Sequence, residues 1–324
     1  MVNIEQIREP IREEMKRFDS HFASSMKSQI PLLNLITQYI LRRKGKQMRP
    51  MFVFLTARLY GEITPSAYTA ASLIELLHTA TLVHDDVVDH SYERRGIFSI
   101  NALWKTKIAV LLGDYLLAKG LLLSMNSGEY KLLEIVSEAV KEMSEGELLQ
   151  IQKSRKLNIS EQEYFEIIRK KTATLIAACT ACGAKAAGRN QEEISRMKSF
   201  GEKVGIAFQI KDDIFDYQRN SLTGKPAGND IQEKKLTLPL IYALRHVDSS
   251  RRRKILRIVK NHRDNRKKVQ EVISFVRENG GIEYAEAQMN AYKNQALELL
   301  DPIPFSPARD SLIQLVEYTI AREK

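Results

Sequence analysis

The sequence predicts an all-α protein. Three observations carry that prediction. Apolar residues recur at three- and four-residue spacings along nearly the whole chain, strand-like alternation between turn signals is absent, and several periodic runs open at capping residues. The runs LLNLITQYILRR, MFVFLTARLYG, YTAASLIELLHTATLVH, KIAVLLGDYLLAKGLLLSM, YKLLEIVSEAVKEMSEGELLQIQ, EQEYFEIIRKKTATLIAACTACGAKAAG and QEEISRMKSFGEKVGIAFQIKDDIFDY follow in order. Ser160 before EQEYF and Asn190 before QEEIS offer side-chain oxygens to the free amides of a first helical turn. Some runs are apolar on most sides, which predicts central burial. The expected architecture is about ten or more helices around a central cavity, with polar motifs turned inward.

A chain of 324 residues, 44% of them hydrophobic, buries a large core. No Gly/Ser-rich or Pro-rich linker, low-complexity tract or fixed-period repeat divides it, so one domain over residues 1–324 is expected. The formal charge of +10 suggests polyanionic partners: nucleic acid, an anionic membrane or phosphorylated small molecules. The segment MVNIEQIREPIREEMKRFDSHF is charged throughout, unlike a signal peptide, and no run of eighteen uncharged apolar residues follows. A cytoplasmic protein without a transmembrane segment is the expectation.

Cys179 and Cys182 form a C-x-x-C inside TATLIAACTACGAKAAG. A redox or zinc role wants a helix N-terminus or a second ligand pair. An Ala-rich helical run instead packs free cysteine as a small apolar residue, and the chain lacks the disulfide pattern of a secreted scaffold. A structural role is expected.

The chemistry concentrates in LVHDDVVDHSYERRG, which places Asp85, Asp86 and Asp89 ahead of Arg94 and Arg95. On a helix Asp85 and Asp89 lie within about 40° of each other, one turn apart. Stacked carboxylates repel unless a cation separates them, and Mg²⁺ commonly takes one or two carboxylates plus phosphate oxygens of a substrate. Far downstream FQIKDDIFDYQ repeats the pattern with Asp212, Asp213 and Asp216. Facing each other across a cavity, two such turns are expected to hold several Mg²⁺ ions around one diphosphate. Basic residues complete the set: Lys46 and Arg49 in GKQMRP, Arg94 and Arg95, Lys171 in KKT, Lys225 and Lys235. Arginine forks match phosphate oxygens bidentately, and lysines act as point charges. Two basic groups and one metal cluster imply two anionic substrates. The irregular stretch from Gln218 to Pro239 carries Lys225 and Lys235 among Gly224, Pro226 and Gly228, which suits a basic loop over a site.

Taken in order, GKQMRP, HTATLVHDDVVDHSYERRG, KKT, FQIKDDIFD, TGKPAGND and KKLTLPL resemble the trans-polyprenyl diphosphate synthases, the class of farnesyl, geranylgeranyl and octaprenyl diphosphate synthases. The resemblance implies the isoprenoid (terpenoid) synthase fold and a prenyltransferase that joins isopentenyl diphosphate head-to-tail to an allylic diphosphate. It assigns Asp85, Asp86, Asp89, Asp212, Asp213 and Asp216 to metal, with three Mg²⁺ ions per active site. It places Asp85, Asp89, Lys171, Asp212 and Lys225 at the reacting centre, with Arg94, Lys171 and Lys225 on the departing diphosphate. Lys46, Arg49, His78 and Arg95 would hold isopentenyl diphosphate; Thr172 and Gln209 would line the allylic site, and Lys235 would contact substrate. A homodimer, no nucleic-acid partner and a transient membrane contact for product release are also implied.

The chain departs from the family pattern in three places. Lys44 replaces the first Gly of a Gly-Gly-Lys, Phe98 stands where a Pro usually follows the double arginine, and KKLT replaces Gly-Lys-x-Thr. These alter local loops. Other readings fit less well. A terpene cyclase carries a different second metal motif and needs no isopentenyl site, and a head-to-head synthase carries D-x-x-x-D motifs. An inactive partner subunit is expected to lose one aspartate motif. The basic stretch RRRKILRIVKNHRDNRKK has helical periodicity and reads as a solvated helix before it reads as a nucleic-acid contact. His84 beside Asp85 would suit a His-Asp metal phosphohydrolase only with further histidine ligands, and the chain has six His in all.

Product length is read from the residues ahead of Asp85. Ala80 and Thr81 lie about one turn deeper, at roughly 1.5 Å per residue, where the family's aromatic side chains stop growth at farnesyl length. Both are small, so the tail is expected to pass them, with Leu117 and Leu121 on the following helix as the floor. A product longer than farnesyl, of quinone side-chain length, is expected, with geranylgeranyl length as the alternative.

Overall fold

The computed structural model describes residues 3–42, 45–94, 97–218, 228–263 and 265–321. The fold is all-α, as expected. The exception among the described residues is an antiparallel pair of two-residue strands, Glu93–Arg94 and Ile97–Phe98, with Arg94 opposite Ile97. Strands this short have no room for a period-two pattern, so the sequence carries no sign of them. The chain forms two compact units: Met1–Val140 with Ala178–Lys198 and Pro302–Leu315, and Lys141–Ala177 with Ser199–Asp301 and Val316–Lys324. Four of the five boundaries fall inside helices, and the fifth, at Asp301/Pro302, lies in the short connection between helices Gly281–Glu298 and Pro307–Ile320.

In the first unit, helices Pro65–Val88 and Ile100–Asn126 run antiparallel and close together because glycine admits the facing side chains. A Cβ on Gly120 would sit 3.3 Å from Leu73 Cδ1, and one on Gly113 would sit 2.1 Å from His84 Nε2. That register brings Ala80 level with Leu116 and Leu117. Helix Met48–Arg58 is buried from Pro50 to Ala57. Gly183, on helix Thr174–Ala186, lets it approach until an added Cβ would stand 2.5 Å from the Val53 carbonyl oxygen. One turn before Gly183 lies Cys179; both cysteines are buried and free, and burial pushes the Cys179 thiol up to about 12. They pack as small apolar residues.

Helix Ile100–Asn126 begins at Ser99, whose hydroxyl accepts the Ala102 amide, and is interrupted at Lys105, where φ is 71°. It is long and apolar enough to cross a membrane by length and composition alone, although no uninterrupted apolar run marks it in the sequence. Its inner side, Ala109, Leu112, Gly113, Leu116 and Gly120, is buried. Its outer side leaves Leu111 54%, Leu122 52% and Met125 50% exposed.

In the second unit, helix Glu161–Ile168 opens with a capping box. The Ser160 hydroxyl accepts the Glu163 amide, and the Glu163 carboxylate accepts the Ser160 amide. Helix Leu238–Arg245 packs on Gly281–Glu298, where a Cβ on Gly281 would stand 2.3 Å from the Pro239 carbonyl oxygen. Helix Ser249–Asn261 buries Ile255, Ile258 and Val259 and leaves Arg251, Arg252, Arg253, Lys254 and Arg257 in solvent. Arg251 pairs with Glu278, and Lys254 with Glu271.

Candidate active site

Both aspartate motifs occupy the last turns of long helices. Asp85 and Asp86 close the 24-residue helix Pro65–Val88, with Asp89 as its C-cap; Asp212, Asp213 and Asp216 close the 28-residue helix Gln191–Gln218. A helix C-terminus carries partial negative charge and ordinarily attracts Lys, Arg or His⁺. Neither of these last turns holds a basic residue. Three carboxylates added to the negative end of a dipole make a strongly cation-seeking position.

Helical rotation divides the roles within the first motif. Asp85 and Asp89 are exposed, one turn apart, with the Asp89 amide bonded to the Asp85 carbonyl at 2.8 Å. Asp86 turns inward and is 5% exposed. His84 turns toward the neighbouring helix, its Nε2 3.3 Å from the Val110 carbonyl oxygen and 3.5 Å from Asp114, so it anchors that helix pair. Arg95, Lys225 and the side chain of Arg94 lie outside the described residues.

GKQMRP leads into helix Met48–Arg58 through Gln47, which adopts the left-handed conformation (φ 49°) and donates its side-chain amide to Asp19 at 2.8 Å. Lys46 is exposed, and its carbonyl accepts the Arg8 guanidinium at 2.9 Å. Arg49 Nη1 lies 3.5 Å from Glu75 Oε1. Glu75 sits on helix Pro65–Val88 one turn before His78, so the structure brings Arg49 to the helix that carries His78. Thr81 donates its hydroxyl to the His78 carbonyl at 2.9 Å, and Ala80 is fully buried. Leu117 is half-buried, while Leu121 is 43% exposed on the outer side of its helix; Leu116 and Gly120 occupy the inner side at that level.

The second unit gathers Lys171, Thr172, Gln209, Asp213 and Lys235 around one cavity of about 190 Å³. KKT lies on a π-helical segment, Arg169–Ala173, a geometry common at functional sites. Two glycines clamp it. A Cβ on Gly146 would stand 2.8 Å from the Lys171 amide nitrogen, and one on Gly205 would stand 2.4 Å from Ala173 Cα. Lys171 donates to Gln150 Oε1 at 2.7 Å and pairs with Glu147. From Thr172 a chain of hydrogen bonds runs into the motif. Its hydroxyl donates to Gln209 Oε1 at 2.8 Å, and Gln209 Nε2 donates to Asp213 Oδ1 at 2.8 Å. The other Asp213 oxygen accepts the Tyr164 hydroxyl at 2.7 Å.

The three aspartates of the second motif therefore differ. Asp212 is exposed. Asp213 has both oxygens hydrogen-bonded inside the protein, and Asp216 accepts the amides of Asn229 and Asp230, each at 3.0 Å. Asp216 thereby fixes the turn at Gly228, Asn229 and Asp230. Asp230, in that turn, is a site residue the sequence reading did not single out, although the block TGKPAGND contains it. Burial first, and then the charge of Asp216, push its carboxyl up to about 7; burial and Asp230 likewise push Asp213 up. Burial works to lower Lys235, and pairing with Glu233 and the nearness of Asp230 hold it above its ordinary value. Tyr164 and Gln150 were also not singled out; only their placement in the cavity wall marks them.

Among the described residues no three His, Cys, Asp or Glu side chains converge as a ready-made metal cage. Mg²⁺ does not require one, since it retains water and completes its shell with substrate phosphate. Exposed Asp85, Asp89 and Asp212 toward helix C-termini, with Asp213 and Asp230 near Asp212 held above the usual carboxylate range by burial, fit a hard divalent cation.

Residues 30–276 match the family model described as Polyprenyl synthetase. The chain belongs to that family. As a polyprenyl synthetase it is a prenyltransferase. It is 33% identical over 324 residues to octaprenyl diphosphate synthase of Escherichia coli (strain K12), covering 100% of both chains. Among solved structures it resembles a polyprenyl synthase from Caulobacter crescentus CB15 complexed with calcium and isoprenyl diphosphate. That match has a TM-score of 0.90 and 30% identity, and covers 99% of this chain and 98% of that one. It also resembles a geranylgeranyl pyrophosphate synthase from Bacteroides thetaiotaomicron, with a TM-score of 0.84, 40% identity, and 98% and 99% of the two chains covered.

Proposed function

We propose that this polyprenyl synthetase condenses isopentenyl diphosphate with an allylic diphosphate and releases a trans-polyprenyl diphosphate longer than farnesyl, of quinone side-chain length. The observation that carries the reading is the pair of long helices that each end in an acidic turn without a basic residue, one of them hydrogen-bonded through Gln209 to Thr172 in the KKT segment. Mg²⁺ bound at Asp85, Asp89 and Asp212, with Asp86, Asp213 and Asp216 in support, would supply charge neutralisation and Lewis-acid pull on the allylic diphosphate.

The chain's own residues do the rest. Lys171, with Arg94 and Lys225, holds the departing diphosphate as the allylic carbon–oxygen bond breaks and both electrons leave with oxygen. Lys46, Arg49, His78 and Arg95 grip isopentenyl diphosphate so that its double bond lies against the allylic cation. The new carbon–carbon bond forms there, and the proton lost from the adjacent carbon passes to the released diphosphate. Thr172 and Gln209 line the allylic side, and Lys235 adds positive charge at the cavity wall.

Ala80 and Thr81 let the growing tail pass, and Leu117, level with Ala80 on the facing helix, is the favoured floor over Leu121. The exposed apolar side of helix Ile100–Asn126 supports a homodimer in which a second copy covers Leu111, Leu122 and Met125; light scattering on the purified protein checks it. A twenty-carbon product is the second reading, favoured by the 40% identity to a geranylgeranyl pyrophosphate synthase.

The deciding experiment incubates the protein with labelled isopentenyl diphosphate, several allylic primers and Mg²⁺, then sizes the products. Products longer than fifteen carbons support the proposal. A product that stops at fifteen carbons overturns the length assignment, and full activity in EDTA overturns the metal role.

A further inference from the structure

We propose that Glu75 is a positioning residue for the isopentenyl group: it holds the Arg49 guanidinium in register with the metal-bearing end of its own helix. The inference rests on the reading of Arg49 as an isopentenyl diphosphate contact.

The two side chains are 21% and 17% exposed, and their closest approach is 3.5 Å between Nη1 and Oε1. Glu75 Oε1 is buried and has no hydrogen-bond partner among the described residues. A buried carboxylate oxygen left without a donor costs free energy, so its placement beside a cation is a constraint on that cation. A guanidinium presents five donors in a rigid fork. Directing one edge at Glu75 leaves the other edge for a diphosphate, in an orientation Glu75 sets. Arg49 would otherwise sample many rotamers and lose that freedom on binding. Buried Cys179 feels the charges of both residues, and burial keeps its thiol from ionising, so it adds no charge beside the pair.

Helix geometry gives the contact its consequence. Glu75 precedes His78 by one turn and Asp85 by ten residues, about 15 Å along the axis. Residues of one helix thus set the spacing between the group that reads one diphosphate and the carboxylates that serve the other. Small displacements between two bound reactants cost rate steeply.

The test is steady-state kinetics, with each substrate varied in turn, for wild type, Glu75→Gln, Glu75→Asp, Arg49→Lys and the double variant Glu75→Gln/Arg49→Lys. Glu75→Gln is expected to raise KM for isopentenyl diphosphate about tenfold or more, as loss of a charge-assisted contact does. KM for the allylic primer should move by less than about twofold. Glu75→Asp, which keeps the charge, should recover most of the loss. The double variant should cost little more than Arg49→Lys alone, because the two residues act as one unit. A purely structural role would instead lower the melting temperature and move both Michaelis constants together. The proposal is overturned by an unchanged isopentenyl KM in Glu75→Gln, by equal rises for both substrates, or by additive effects in the double variant. If Arg49→Lys itself leaves the isopentenyl KM unchanged, the reading of Arg49 falls first, which separates the two failures. Should Glu75→Gln not fold, Glu75→Asp with its own double variant carries the same cycle.

Discussion

The Tyr164 hydroxyl donates to Asp213 Oδ2 at 2.7 Å, and both side chains are buried. Burial and the Asp213 charge hold the tyrosine far above its ordinary pKa, so it remains a donor at any working pH. Tyr164→Phe removes that donor and leaves one oxygen of a buried carboxyl with reduced satisfaction. A stability loss of about 1–3 kcal/mol is expected, measured by urea denaturation of the metal-free protein, together with a lower elongation rate. An unchanged midpoint and rate would mean that Gln209 alone orients Asp213.

Exposed and inward aspartates should separate in their effects. Asp212→Asn leaves packing untouched and is expected to lower turnover by orders of magnitude with no change in melting temperature. Asp216→Ala removes acceptors for two backbone amides at the GND turn. Hydrogen bonds to a charged group contribute roughly 1.5–3 kcal/mol each, so that variant should melt measurably lower as well as lose activity. Equal melting temperatures for the two variants would contradict this division.

Glu163 gives a pH dependence with a definite sign. Its pairing with Lys153, followed by the Ser160 backbone amide, lowers its pKa from 4.5 to about 2. A carboxylate whose folded pKa is depressed contributes stability above its unfolded pKa, and that contribution fades as pH falls through the folded value. The stability difference between wild type and Glu163→Gln should therefore be constant above about pH 5 and shrink between about pH 4.5 and 2. Denaturation midpoints across that range check it, and a gap that widens on acidification would reverse the assignment.

Ala80→Tyr tests the length reading against simple helix packing. Ala80 is fully buried and level with Leu117 across the helix pair. If the tail passes this point, the aromatic ring should shorten the product while the first condensation proceeds near its normal rate. If Ala80 only lets the helices meet, overpacking should cost about 1–3 kcal/mol of stability and leave the product ladder unchanged. Chromatography of the products and a melting curve distinguish the two.

Much of this protein was legible in its residues because helical periodicity and motif spacing are local properties. Alternation at three and four residues located the helices, and 3.6 residues per turn brought Asp85 and Asp89 to one side before any fold was known. Charge balance and the ordered blocks from GKQMRP to KKLTLPL were enough to expect two phosphorylated substrates. Where side chains from distant segments meet, the sequence was silent. That Asp213 is locked by Tyr164 and Gln209, that Asp216 caps a turn thirteen residues later, and that KKT rides on a π segment pinched by Gly146 and Gly205 follow from packing between helices. Asp230 owes its raised pKa to burial and to Asp216, and Arg49 meets Glu75 through the docking of two helices. Desolvation and hydrogen-bond partnership depend on which atoms lie within a few ångströms in space, and that distance is set by tertiary packing.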